Sequence, residues 1–464
     1  MNVMDIFKEI SKIPRETGHE EKIAEYLYEF AKKRNLECYK DKYNNVIIKK
    51  KTCKGKPLIL QSHTDMVCEK VQNKEFNFEK DPIEVIEKDG YIMANGTTLG
   101  ADNGIGMAQI LYILDSNMEC NVEAVFTTSE ETTMQGSIGL DTSMLEGNML
   151  LNLDGFEEDT ILLESAAFHD IIMKLEYNKE ILSNINLYNI ILSGLEGGHS
   201  GFDIDKNRGN SSIILSEIIQ EVDNIQILDF IGGTKFNVIP SEASCIFASN
   251  LNEEELQKII NEKLKEINRK NVKIELTKVV NEINSKEKYA LDITHSKKFL
   301  NSVTNFPNGV INKNKQNEVT TSVNLGVVSL KENVFKIGMR SSRKIEDEKT
   351  VTMLKEYAKE NNMEFEEIGY QPGFQTDRND DIVKLLEKAF YLVEENKNRK
   401  LSKKAVHITV EVGIIKEKMP ELQVAIISPN IQGAHTVNER VEIASIERTT
   451  KWIEKFIKLY NKIA

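Results

Sequence analysis

The sequence predicts an α/β protein in two domains: a split domain whose central, mostly parallel sheet is flanked by helices, and an α+β domain inserted into it. Three observations lead there. Short apolar runs alternate with helical patterns early in the chain, polar residues gather where those runs end, and the texture changes near residue 185 and changes back near 375. Alternating strands and helices build a sheet covered on both faces, with functional groups collecting at one edge. A chain of 464 residues is also too long for one comfortable core. The split domain therefore takes residues 1–184 and 375–464, and the insertion takes residues 185–374.

In chain order, "VMDIFKEISKI" and "EEKIAEYLYEFAKKRN" have helical periodicity. Between them Thr17, with Glu20 three residues on, is placed as a capping box. "NNVIIKKK" and "KPLILQS" read as strands, and "TLGADNGIGMAQILYILDS" as a loop running into a helix. "NVEAVFTTSEE" and "NMLLNLD" are strands that end in acids. In the insertion, "LYNIILSGLEGGHSGFDIDKNRGNSSIILSEIIQEV" gives a strand, a Gly-rich loop and a helix. Strands in "FNVIPSEASCIFASN" and "NVKIELTKVV" bracket a further helix, and "SVNLGVVSLKENVFKIGMRSS" adds more strands before the helix "DEKTVTMLKEYAKENN". After "GYQPGFQTDRND" the chain returns to helix, passes through "KAVHITVEVGII" and "LQVAIISPNIQGAH", and ends in the helix "IERTTKWIEKFIKLY". No internal repeat is visible.

Composition excludes several classes. A net charge of −13 leaves no basic surplus to displace counterions from a nucleic acid. Lys-rich pieces such as "EKLKEINRKNVK" interleave acids and read as a solvated helix face. No stretch approaches eighteen consecutive apolar residues, which argues against a membrane span. The N-terminal "MNVMDIFKEISKIP" is amphipathic and lacks a signal peptide's apolar core. Five scattered cysteines without a CxxC pattern suggest reduced thiols, and the cytoplasm is the expected location.

The chemistry sits at strand ends. His63 and Asp65 are an i,i+2 pair, so on an extended chain both side chains face the same way. Asp102 follows in "GADNG", Glu130 and Glu131 close the "TSEE" strand, Asp154 follows "LLNL", and His435 lies in "QGAHTVNE". Taken singly, each has a plain explanation: a polar turn, an Asx turn, a solvated acidic pair or a helix cap. Bland turns do not account for ligand-type residues at five separate strand ends. Imidazole nitrogen and carboxylate oxygen suit zinc, and two His with three carboxylates suffice for two divalent ions about 3.5–4 Å apart.

The strings "HTDMV", "TTLGADNGIGMA", "TSEE", "LLNLD", "GLEGGHSG" and "GAHTVNERVEIAS" together resemble the zinc-dependent aminoacyl-histidine dipeptidases, a branch of the carnosinase-like di-zinc exopeptidases. The resemblance runs from about residue 5 to about residue 460 in one consistent order, and "TTLGADNGIGMA" is its most specific string. It implies a dipeptidase acting on small peptides. His63, Asp102 and Asp154 would hold one zinc, and Asp102, Glu131 and His435 the other, with manganese or cobalt as substitutes. Asp65 would orient His63, and Glu130 would be the general base. His199 would stabilise the oxyanion, Asn237 and Arg340 would contact the substrate carboxylate, and Glu411 would meet its free amine. A homodimer through the inserted domain is an arrangement the resemblance allows. The chain departs from the family pattern after Asp154, where "ILLESAAFHD" replaces a Gly-rich stretch and Phe168 and His169 would narrow the pocket. A tripeptidase, an N-acyl-amino-acid deacylase and an inactive peptide binder are the competing readings.

Overall fold

Strongly apolar runs decide the centre of the first sheet. The structure, a computed structural model, describes residues 2–182, 186–269, 271–279 and 289–463. Four of its strands, Asn121–Thr127, Leu58–His63, Met149–Asn152 and Gln423–Ile426, lie side by side and run parallel. The first three are buried along their whole length, as parallel strands covered on both faces must be. Val46–Lys51 and Glu37–Lys40 extend one side in antiparallel fashion, and Thr160–Ser165 and Ser402–Val406 complete the other.

Both ends of the chain build this unit, which comprises Met1–Ser165, Gly373–Val406 and Val410–Ala464. Phe7 and Ile10 of the first helix, Val3–Ile10, share its core with Trp452 and Phe456 of the last helix, Ile443–Tyr460. The Tyr460 hydroxyl donates to the carbonyl of Pro57 at 3.1 Å, and Trp452 Nε1 donates to the carbonyl of Leu386 at 2.8 Å. Among the described residues no helix is long and apolar enough to cross a membrane.

The second unit comprises Ala166–Pro372 with His407–Thr409. The junction expected between residues 184 and 185 lies outside the described residues. The strand before it, Ala167–Leu175, already belongs to the second unit, because it pairs with Val334–Ser341 and Met363–Gln371 of the second sheet.

That sheet repeats one topology twice. Asn186–Ser193, the helix Ser211–Ile219, Gln226–Gly233, Ala243–Ser249, the helix Glu253–Ile267 and Lys273–Lys278 form a βαββαβ unit with spatial order 4-1-3-2. Ala167–Leu175, the helix Ile293–Thr304, Val319–Ser329, Val334–Ser341, the helix Lys344–Glu360 and Met363–Gln371 form a second with order 2-3-1-4. The two meet where their second strands pair antiparallel, Ile231 opposite Ser329. Phe230 of one half packs on Phe299 of the other, with ring centroids 5.3 Å apart. The sequence shows no repeat, but the chain folds one.

Candidate metal centre

Three parallel strands end side by side and deliver the predicted donors. His63 is the last residue of its strand; Glu130 and Glu131 follow the strand ending at Thr127, and Asp154 follows the strand ending at Asn152. Asp102 enters from the start of the helix Ala101–Asp115, where its own φ and ψ are non-helical. The peptide bond joining Asp102 to Asn103 is cis. The glycines of "GADNGIG" serve close approach. Gly100 has φ +69°, and a Cβ there would come within 2.4 Å of Arg15 Nη2. A Cβ on Gly106 would stand 2.1 Å from Asn103 Oδ1.

Asp102 faces two ways. Its Oδ1 lies 3.1 Å from His63 Nε2, and its Oδ2 lies 3.2 Å from His435 Nε2. Asp154 Oδ1 is 3.7 Å from His63 Nε2, and Glu131 Oε2 is 2.9 Å from His435 Nε2. Two ligand groups result, His63–Asp102–Asp154 and Asp102–Glu131–His435, each with donor atoms within 4.8 Å of one another. They share Asp102. A third grouping, His63–Glu130–Glu131, overlaps them.

The charge balance is that of a cation site. Burial raises Glu130 well above the usual carboxylate range, with the charges of Asp154, Glu131 and Glu411 adding to the effect. Burial likewise brings Glu131 to about 7, and Asp154, with help from Asp102, to about 6. Hydrogen bonds donated to the Asp102 and Glu131 carboxylates lift His435 to about 11. Glu131 Oε1 is buried with no hydrogen-bond partner among the described residues. Crowded carboxylates, two imidazoles and an orphaned carboxylate oxygen fit divalent ions.

Asp65 organises the cluster from behind. His63 Nδ1 lies 3.3 Å from its Oδ1, the Glu130 and Glu131 N–H groups donate to it at 3.1 and 3.2 Å, and Thr17 Oγ1 donates at 2.9 Å. Burial opposes ionisation, but His63 and these donors hold the carboxyl below its usual range. Thr17 is therefore not a helix cap. The helix begins at Glu21 with no side-chain cap, and Glu20 accepts from the N–H and hydroxyl of Ser129 at 3.0 and 3.2 Å. The turn at Gly18, φ +86°, delays the helix and frees both side chains for the ligand loops.

Two residues that the sequence did not single out complete the support. Glu439, four positions beyond His435, accepts the N–H groups of Leu99, Gly100 and Asp102 at 2.8, 2.8 and 3.1 Å. Arg15 is fully buried and donates to the carbonyls of Thr64, Asp65 and Gly100 at 3.0, 3.1 and 2.5 Å. One side chain thus ties the His63 strand end to the Asp102 loop. Arg15→Met is expected to lower stability by about 3–5 kcal/mol, because it leaves three buried carbonyls without their donor. Chemical denaturation reads this out, and an unchanged midpoint contradicts it.

Glu411 is buried in the same unit, accepting from Gln61 Nε2 at 2.6 Å and Thr127 Oγ1 at 2.9 Å. Burial raises it to about 7, and its Oε2 has no partner among the described residues. His199, Asn237 and Arg340 belong to the second unit. The His199 N–H donates to Asp203 Oδ2 at 2.9 Å, and the Asn237 carbonyl accepts from the Ser200 N–H at 2.9 Å. Arg340 stacks on Phe168, its guanidinium carbon 4.3 Å from the ring centroid, while His169 bridges Glu367 and Asp347 at 2.8 and 2.9 Å.

The model of the peptidase family M20/M25/M40 matches residues 59–459. The chain belongs to that family. It is accordingly a hydrolase of the metallopeptidase class. It is 33% identical to the cytosol non-specific dipeptidase of Escherichia coli (strain K12), over 95% of this chain and 94% of that one. A solved aminoacylhistidine dipeptidase from Vibrio alginolyticus superposes with TM-score 0.85 at 27% identity, covering 98% of this chain and 96% of that one. A tripeptidase from Staphylococcus aureus, at 17% identity and TM-score 0.53 over 99% and 98%, shares the fold.

Proposed function

We propose that this M20 enzyme hydrolyses dipeptides, Xaa-His among them, with two divalent ions held by His63, Asp102 and Asp154 on one side and by Asp102, Glu131 and His435 on the other. The observation that supports it most is Asp102, whose two oxygens face two different histidines. Ions held there would lower the pKa of water towards neutrality and polarise the scissile carbonyl. Zinc is the proposed metal.

The chain's own groups do the rest. Glu130 takes the proton from the attacking water and hands it to the leaving amine; burial, which raises its pKa, suits a group that must first accept and then release a proton. Asp65 fixes the ring of His63 and the backbone of both glutamates, so donor and base keep one spacing. His199 is assigned to the developing oxyanion, Asn237 and Arg340 to the peptide's carboxylate, and Glu411 to its free amine. The cytoplasm is the proposed location, in keeping with the cytosolic relative.

A dipeptide panel that includes Xaa-His, assayed with chelator and then with zinc or manganese restored, tests the assignment. Chelator-sensitive cleavage that returns with metal is expected. A protein that binds two ions and cleaves no dipeptide would instead be a peptide binder.

A further inference from the structure

The second unit contains a buried guanidinium that no carboxylate neutralises by contact. Arg340 is 4% exposed and donates to Ser200 Oγ at 3.5 Å and to Thr409 Oγ1 at 3.2 Å. Among the described residues it forms no ion pair; Asp170 acts on it only through longer-range charge. Burying a cation among neutral oxygens is unfavourable unless an anion is supplied.

His407 stands close enough to Arg340 to be affected by its charge. Its Nε2 lies 2.7 Å from Ser322 Oγ, and its Nδ1 is buried without a partner among the described residues. Burial first, then the charges of Arg340 and His199, push the imidazole down to about 3, so the ring is neutral. The segment His407–Thr409 belongs to the second unit and also supplies the Thr409 hydroxyl to Arg340. A serine hydroxyl both donates and accepts, so either ring nitrogen can carry the proton. When Ser322 donates to Nε2, the proton sits on Nδ1, a buried donor left without a partner among the described residues.

We propose that His407 is a specificity-determining residue whose Nδ1–H joins Arg340 in binding the α-carboxylate at the substrate's C-terminal end. The inference rests on the reading of Arg340 as a carboxylate contact. A carboxylate accepts from both groups at once. A C-terminal amide brings an NH2 that meets a donor, so it loses both the charge and one hydrogen bond. Recognition gains a second donor without a second buried cation.

The test compares dipeptides with their C-terminal amides. In His407→Ala the preference for carboxylate in kcat/KM is expected to fall by about ten-fold to a hundred-fold, the worth of a hydrogen bond to a charged group. The loss appears in KM, with kcat kept within a few-fold. His407→Gln, which keeps an N–H donor, recovers most of the preference. An unchanged preference in both variants overturns the proposal, as does a loss confined to kcat. Arg340→Met separates the two layers: if it leaves the preference intact, the carboxylate reading of Arg340 fails instead. If the wild type cleaves neither substrate, calorimetry with an uncleaved dipeptide decides. Weaker binding to His407→Ala than to wild type supports the contact, and equal binding removes it.

Discussion

Glu130→Gln keeps both metal ions and loses about 10²–10⁴ of kcat, the range a positioned general base contributes. The amide matches the carboxylate in shape and cannot take the proton. The Glu130 backbone is fixed by its N–H donation to Asp65 Oδ1 at 3.1 Å, which the substitution leaves in place. Metal analysis beside steady-state kinetics separates the two roles open to this residue, since Glu130 also lies within ligand distance of His63 and Glu131. Full metal content with lost turnover identifies the base. Lost metal would make Glu130 a ligand, and normal turnover would sink the mechanism.

Asp102→Ala is expected to lose both ions and all measurable activity, because one carboxylate serves both ligand groups. Asp154→Ala and His435→Ala remove a donor from one group each and leave the other group intact. Thermal unfolding gives an independent readout. A ligand that binds only the folded state at a thousand-fold excess over its Kd adds about 4 kcal/mol, so added zinc raises the Tm of the wild type. The Tm of Asp102→Ala stays flat over the same titration. A metal-dependent rise in that variant would show that Asp102 does not bridge.

Much of the site was legible because metal donors are chemically distinctive and fall where strands end. His63, Asp65, Asp102, Glu130, Glu131, Asp154 and His435 stood out by residue type and position, while their division into ligands, base and orienting group came from the family resemblance. Their supports were hidden for the opposite reason. Arg15 reaches Gly100 and Glu439 reaches Leu99, contacts 85 and 340 positions apart that leave no local pattern. Thr17 and Glu20 were misread because a capping box and a pair of loop clamps use the same residue types at the same spacing. His407 carried no signal of its own in "KAVHITVEVGII", and its partner Ser322 is 85 positions away. The doubled topology of the second unit escaped because a βαββαβ order is set by apolar periodicity and turns, which many unrelated side chains satisfy.

That doubling also sets an order of assembly. The 186–278 half is continuous, whereas the other half is interrupted by it: Ala167–Leu175 is made first, and its neighbours Val334–Ser341 and Met363–Gln371 come only after the whole intervening half. As the chain leaves the ribosome, Ala167–Leu175 has neither of its neighbours to pair with while the later half of the sheet is still being synthesised. Exposed strand edges invite foreign pairing. A chain released before Met363 leaves Ala167–Leu175 as the open edge, whereas the complete chain presents Met363–Gln371 there, whose exposed Glu364, Glu366 and Glu367 discourage foreign pairing.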